Sequence, residues 1–541
     1  MRPFRPPKSS ILGALALIAL ALLVAPVALA TPLTGGTLAY QLYQKPAGID
    51  PMHTTMPQDC VPLGALFDGL TSLDATSSAV LPAAAVTWEP NADASVWTFH
   101  LREGATFSNG APVTARDFKV AWEGLLKGAG RGWGVYQLNR VKGAAALARG
   151  KAKHLSGVAA RDASTLVVTL TAPFADFPSI VAGPSLGPVP HALVSTAKNA
   201  AKFRNAPIGN GPFMLSKPWG GKDTIAMVAN PRYYGTRPHI AGITFTVIED
   251  AAAAYEQFKA GRLDVSVFPS ASLAEARATY GTSLDGFTSQ PGHQVVPGPI
   301  AGVLWTVFNT KKAPFDDVLV RRAFSLAIDR AKLLAEMMPP APMSMETTAT
   351  DVLSPGIAGY DPGRWLYATL DQAQAAALLA EAGYPGGAGL PEVTLLTSNA
   401  ANKTEYKTSL AAIGVNVKLV EVTQARFWPE WRTGDYMVCQ DGWNYYATAA
   451  TVLSNSFTSS LDGSESFYSD PAVDAAIAQA NATLDDAARL AAFESIDATV
   501  AAATPVAPVG YFSRTIVCSA RLHDAVLSPM DLFDFTRVSI E

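Results

Sequence analysis

Apolar and polar residues alternate from Trp97 to Arg102, with Trp97, Phe99 and Leu101 on one side and Thr98, His100 and Arg102 on the other. A period of two predicts a strand with one buried face. Two turn clusters follow, Arg102-Glu103-Gly104 and Ser108-Asn109-Gly110. The period then lengthens. Phe118, Ala121, Trp122 and Leu125 fall at helical spacing, which predicts a helix with one apolar side. Thr114 and Asp117 have the spacing of a capping box at its start.

The same patterns recur along the chain. Strands are predicted at Gly36 to Leu42, Leu166 to Leu170, Phe213 to Leu215 and Gly242 to Ile248. Ala251 to Gly261 and the alanine run from Ala144 to Ala148 read as helices. Leu66-Phe67-Asp68-Gly69-Leu70 reads as a helix end, with Gly69 just past the last turn. Gly209, Gly211 and Pro212 predict a tight turn ahead of Phe213. Val320, Ala323, Phe324 and Ala327 form the buried side of a helix capped by Asp316 or Asp317. Thr369 and Gln372 read as a second capping box, and Gly383 with Pro385 ends the helix that follows.

The N-terminus adds a separate signal. Arg2, Arg5 and Lys8 precede an apolar run from Ile11 to Val24, and Ala28-Leu29-Ala30 is a small-x-small cleavage site. That pattern predicts a cleaved signal peptide over residues 1–30 and a mature chain of 541 − 30 = 511 residues. No cysteine stands at the cleavage site, which argues against a lipoprotein. The mature length suggests about three domains. A net charge of −4 gives no reason to expect nucleic acid as a partner. Cys60, Cys439 and Cys518 are too widely spaced to pair by inspection, and neither C-x-x-C nor H-x-x-x-H occurs.

Composition names no function, but several blocks do. Phe99, Leu101, Arg102, Gly104, Phe107, Gly110, Pro112, Ala115 and Asp117 match the block F-x-L-R-x-G-x-x-F-x-x-G-x-P-x-x-A-x-D. Ile49-Asp50-Pro51, Gly209 to Phe213, Asn230 to Tyr234, Phe308 to Asp317 and Leu378 to Tyr384 supply further blocks in order. Together they resemble the family 5 extracellular solute-binding proteins, receptors of peptide and nickel ABC importers, nearest to the oligopeptide-binding branch.

The resemblance implies an α/β, two-lobed periplasmic-binding-protein fold of the hinge-closing type II, with an extra subdomain. One lobe would take residues 31–67, 189–301 and 522–541; residues 68–188 would form the extra subdomain; residues 302–521 would form the opposing lobe. It also implies a soluble, monomeric receptor in the periplasm, an importer permease in the inner membrane as partner, and no cofactor. In the peptide-binding members the ligand lies extended between the lobes and pairs with receptor backbone.

The strand that does this pairing corresponds to Val438 through Tyr446, and Gly442-Trp443 matches the family's G-W pair. On the residues alone this is a core strand with Trp443 as packing; the resemblance moves it to the cleft. Gln440, Asp441, Gly442, Trp443, Asn444, Tyr445 and Tyr446 are therefore candidate ligand-binding residues. Tyr446 replaces the Asp that holds a ligand's α-amine in peptide binders, and Gln440 stands where an Arg is frequent. Ser398 to Gly414 is also shorter than the family's helix. Pro57, Gln58 and Asp59, after Met56, fall where the first lobe touches ligand, though a plain polar loop is the alternative. Trp305 is a candidate pocket wall or core residue, and Phe427 to Trp431 a stacking patch or a helix end.

Three functions compete. The first is an oligopeptide receptor. The second is the same receptor for a non-peptide or N-blocked ligand, such as an opine-like compound or a metal chelate. The third, with least support, is a hydrolase of cell-wall fragments: no G-x-S-x-G or H-E-x-x-H occurs, and seven scattered histidines suggest no triad. No catalytic or metal-binding residue is assigned.

Overall fold

The computed structural model describes residues 35–54, 59–128, 133–337, 343–399, 403–444, 447–459 and 466–541. The predicted signal peptide lies outside these residues. Val96–Leu101 is a strand, and its period-two set Trp97, Phe99 and Leu101 is buried. It lies in a four-stranded antiparallel sheet between Ala85–Pro90 and Thr165–Thr169, with Val158–Ala160 at the edge. Helix Ala115–Lys127 buries Phe118, Ala121, Trp122 and Leu125 in the same core. Each such large apolar side chain contributes roughly 1.5–3 kcal/mol by leaving water. One Asp117 oxygen accepts from the Thr114 N–H at 2.8 Å and hydroxyl at 2.7 Å. The other accepts from the His191 N–H at 2.9 Å. The cap thus also anchors the segment that leaves this subdomain.

Two larger sheets organise the rest. The first has seven strands in the order Val295–Val296, Ile516–Cys518, Val265–Ser266, Thr37–Leu42, Gly242–Val247, Thr224–Ala229 and Phe213–Leu215. The second has six, in the order Met343–Thr348, Val506–Arg514, Pro299–Phe308, Val438–Asn444, Val393–Thr397 and Val417–Glu421. The chain passes from the first sheet to the second between Val296 and Pro299 and returns between Arg514 and Ile516.

Strand Pro299–Phe308 runs through the middle of the second sheet, and its alternate residues serve two cores, as a pleated strand requires. Leu304 and Phe308 pack with helices Val318–Ala327, Arg330–Met337, Gln372–Glu381 and Thr404–Ala411. Val303, Trp305 and Val307 face the opposite way and join the core of helices Ala449–Ser456, Pro471–Ala482 and Asp486–Ala503. Asp317 caps helix Val318–Ala327, accepting from the Leu319 N–H at 2.8 Å.

Three local expectations are corrected. Helix Cys60–Leu66 ends at Phe67 in an extended conformation, so Gly69 is not its left-handed terminator. Gly69 is needed because a Cβ there would sit 2.4 Å from the Val181 carbonyl oxygen. Gly209 and Gly211 likewise have no positive φ. A Cβ at Gly209 would lie 1.8 Å from the Leu66 oxygen, and the Gly211 N–H donates to that same oxygen at 2.8 Å. These glycines admit a helix end, a closer approach than any side chain allows. Finally, the helix after Thr369 starts two residues later than the predicted box: Asp371 caps it, accepting from the Gln374 N–H at 2.8 Å. Gly383, at φ 92°, does end that helix.

Candidate functional site

Strand Val438–Asn444 changes character along its length. On one side it pairs antiparallel with Gly302–Phe308 from end to end. On the other side its parallel pairing to Val393–Thr397 covers only Val438 and Cys439. From Gln440 onward that edge has no strand against it among the described residues. Burial follows the pairing: Val438 and Cys439 are buried, whereas Gln440, Asp441 and Gly442 are partly exposed. A strand edge left open inside a sheet presents unpaired N–H and C=O groups, and an extended segment satisfies them by adding as a strand. Asn444 stands opposite Gly302, a few residues past the first crossing between the two large sheets. The open edge therefore lies at the end of the second sheet that adjoins the crossing.

Gln440 is opposite Thr306, and the hydroxyl of Tyr406 ties the two together. Gln440 Nε2 donates to that hydroxyl at 3.0 Å, and Thr306 Oγ1 lies 2.7 Å from it. Asp441 is opposite Trp305 and so shares the other face of the sheet. Its Oδ1 accepts from the Gly442 N–H at 2.8 Å, and burial pushes its carboxyl up to about 7. A Cβ at Gly442 would meet the Val303 carbonyl oxygen at 2.7 Å, so glycine is required for the close pairing there. Trp305 is buried, with its ring 6.1 Å from that of Phe457. Trp443 and Asn444 are described in backbone only, opposite Val303 and Gly302. Tyr445, Tyr446, Pro57 and Gln58 lie outside the described residues. Asp59 precedes helix Cys60–Leu66, away from the second sheet's strands in sequence, and accepts from the Ala47 N–H at 3.0 Å. In the Phe427–Trp431 patch Trp428 and Pro429 are exposed, whereas Phe427 and Trp431 are buried in the core.

Sequence reasoning passed over the neighbours of Gln440. Lys403, where a helix start wants an acceptor, cannot cap Thr404–Ala411. Glu336 does so from another helix, accepting from the N–H groups of Thr404 at 3.1 Å and Glu405 at 2.8 Å. Burial lowers the Lys403 ammonium to about 8. No spacing in the sequence links residue 336 to 404. Cys60, Cys439 and Cys518 are buried and form no disulfide among the described residues, and burial raises the Cys518 thiol to about 12, out of reach of thiolate chemistry at neutral pH. Among the described residues no group of three or more His, Cys, Asp or Glu is placed to hold a metal ion.

The second crossing is pinned by charge. Arg514, at the end of its strand, pairs with Asp531. It also donates to the Tyr43 hydroxyl at 3.0 Å, with its guanidinium 4.4 Å from that ring's centre. Tyr43 directly follows the central strand of the first sheet, so the two sheets are tied where the chain returns.

Comparison with known proteins agrees with this architecture. The chain is 29% identical over 496 residues to the periplasmic murein peptide-binding protein MppA of Escherichia coli K12, covering 88% of each chain. It is 27% identical over 492 residues to the probable deoxycholate-binding periplasmic protein YgiS of the same organism, covering 87% of each. Its structure superposes on the unliganded open form of MppA with a TM-score of 0.79, at 26% identity, over 94% of this chain and 99% of that one. On the Haemophilus influenzae OppA complex with RPPGFSPFR the TM-score is 0.66, at the same identity and coverage. The profile of the bacterial extracellular solute-binding proteins, family 5, matches residues 79–465, most of the chain, and the chain belongs to that family.

Proposed function

We propose that this protein is the periplasmic receptor of an ABC importer and captures oligopeptides between two lobes. The observation that carries the reading is the open edge of Gln440–Asn444, which offers main-chain partners to an extended peptide. Main-chain pairing binds peptides of many sequences, because every residue brings the same N–H and C=O groups. The names of MppA and of H. influenzae OppA support the same class of ligand.

One lobe carries the seven-stranded sheet, with the four-stranded subdomain of residues 68–188 beside it; the other carries the six-stranded sheet. The hinge lies where strands change sheet, at residues 297–298 and 515, so the second lobe takes residues 299–514 where the sequence suggested 302–521, and strand Ile516–Cys518 goes with the first lobe. The better superposition on an open, unliganded form than on a peptide complex supports a hinge that stands open here. The chain works as a monomer, binds its ligand without turning it over, and hands it to the permease from the closed form.

The test is isothermal calorimetry with tripeptides, alongside mass spectrometry of any compound carried through purification. Micromolar or tighter peptide binding with the peptide recovered intact is expected. Recovery of a bile acid such as deoxycholate, with no heat from any peptide, would overturn the reading.

A further inference from the structure

The extra subdomain reaches across to the opposing lobe. Asp176 stands at the start of helix Phe177–Ile180, where an Asp ordinarily caps the first turn, yet its side chain makes no cap bond. Its Oδ1 instead lies 2.7 Å from Nε of Arg489, in the first turn of helix Asp486–Ala503, and both side chains are largely buried. The residue before it, Ala175, donates its N–H at 2.7 Å to the Asn481 carbonyl in the last turn of helix Pro471–Ala482. A helix leaves its final carbonyls without partners of its own, so this bond satisfies one of them. Arg140 Nη2 donates at 2.7 Å to Asn455 Oδ1, in the last turn of helix Ala449–Ser456. The Arg140 guanidinium is steadied 4.1 Å above the centre of the Phe174 ring. Three helix ends of the second lobe thus rest on the stretch Phe174 to Asp176 and on Arg140.

These contacts are built to hold. Arg489 is aligned by its own turn before Asp176 meets it: Nη2 donates to Asp486 Oδ1 at 2.7 Å and Nη1 to the Thr483 carbonyl at 3.0 Å. A pre-aligned, largely buried ion pair costs little side-chain entropy and is screened less than an exposed one. None of the three contacts involves the strands that carry the chain across at residues 297–298 and 515. A hinge turns one lobe about its crossings. A contact made between the lobes elsewhere fits one lobe angle and lengthens at another, and a hydrogen bond is lost beyond about 3.5 Å.

We propose that Arg140, Ala175 and Asp176 form a latch through which the extra subdomain sets the resting angle of the lobes, holding the unliganded receptor open until ligand binding breaks it. The inference rests on the hinge reading above. It gives the subdomain a part in tuning affinity: the latch makes the closed form rare before ligand arrives, and apparent affinity falls with that fraction.

The experiment pairs small-angle scattering of the ligand-free protein with calorimetry using trialanine. Asp176→Arg sets two cations against each other. It should lower the ligand-free radius of gyration by roughly a third or more of the change that saturating trialanine produces in the wild type, and tighten trialanine binding by about threefold or more. Adding Arg489→Asp reverses the pair and should return both readings toward the wild type. Arg140→Gln removes only the contact to Asn455 and should move both readings the same way by less; it decides the matter if Asp176→Arg does not fold. An unchanged or larger ligand-free radius in the folded variant overturns the latch, whatever the peptide does. If the wild type meanwhile contracts with trialanine, the hinge stands without the latch. A wild type that binds trialanine without contracting overturns both. If trialanine does not bind, the ligand-free radii still decide the latch.

Discussion

Replacing Asp497 by Asn should change how stability depends on pH. Asp351 and Asp497 are both fully buried and hydrogen-bonded to each other. Trp365 Nε1 donates to one Asp497 oxygen at 3.0 Å, and Arg364 lies 3.3 Å from the other. The N–H groups of Leu353 and Asp361 hold Asp351 at 3.1 and 2.9 Å. Burial, and then the Asp351 charge, push Asp497 up to about 8; burial also raises Asp351. Two carboxyls in contact share one proton. In the unfolded chain an Asp gives up its proton near pH ~4. Across the window from there to about 8 the folded chain holds a proton that the unfolded chain lacks, so stability falls as pH rises. The slope is at most ~1.4 kcal/mol per pH unit for one proton, or up to ~2.7 kcal/mol between pH ~5 and ~7. For a chain this long that is roughly 3 °C in Tm. An Asn at 497 offers a carbonyl to Trp365 and an N–H to Asp351 at every pH, so this part of the slope disappears. Asp68, raised to about 6, and Asp441, raised to about 7, titrate in both proteins and cancel in the difference. Thermal melts at pH ~5, ~6 and ~7 should show the wild type losing about 3 °C relative to Asp497→Asn. Parallel curves would refute the shared proton.

Four further outcomes are expected. Gly209→Ala forces a Cβ to within 1.8 Å of the Leu66 oxygen, where only backbone can give way; chemical denaturation should show a loss of roughly 3 kcal/mol or more. Gly442→Ala brings a Cβ 2.7 Å from the Val303 oxygen and 3.0 Å from the Leu304 Cα, so the edge strand must shift. Its peptide affinity should fall by about tenfold or more in calorimetry. Small-angle scattering should show a smaller radius of gyration with a tight peptide than without, and an unchanged radius would count against the hinge. The family resemblance aligns Tyr446 with an Asp that holds the ligand's α-amine in peptide binders; on that alignment a neutral peptide and its N-acetyl form should differ by less than about tenfold, with a hundredfold loss pointing back to ordinary α-amine recognition.

The signals that were legible in the sequence are those whose atoms lie within one turn or one strand. Trp97, Phe99 and Leu101 announce a strand because the backbone alternates sides, and Thr114 with Asp117 announce a helix start because a cap reaches only three residues. The ordered family blocks carried the architecture, since they preserve many such local features at once. Other features depend on atoms far away in the chain. Gly69, Gly209 and Gly211 look like turn glycines, but their need for no side chain comes from the carbonyls of Val181 and Leu66. The Thr369 box failed because the helix starts two residues on, where Asp371 caps it by accepting from the Gln374 N–H, and spacing alone does not choose between nearby acceptors. Gln440 through Asn444 read as a strand from sequence, yet only the sheet shows that Val393–Thr397 stops pairing at Cys439 and leaves an edge open. The Asp351–Asp497 pair and the capping of Thr404 by Glu336 are equally silent in the sequence. Periodicity and capping are short-range and are written locally; steric approach, strand partnership and proton affinity are set by whichever atoms the fold brings near, and only the tertiary structure decides those.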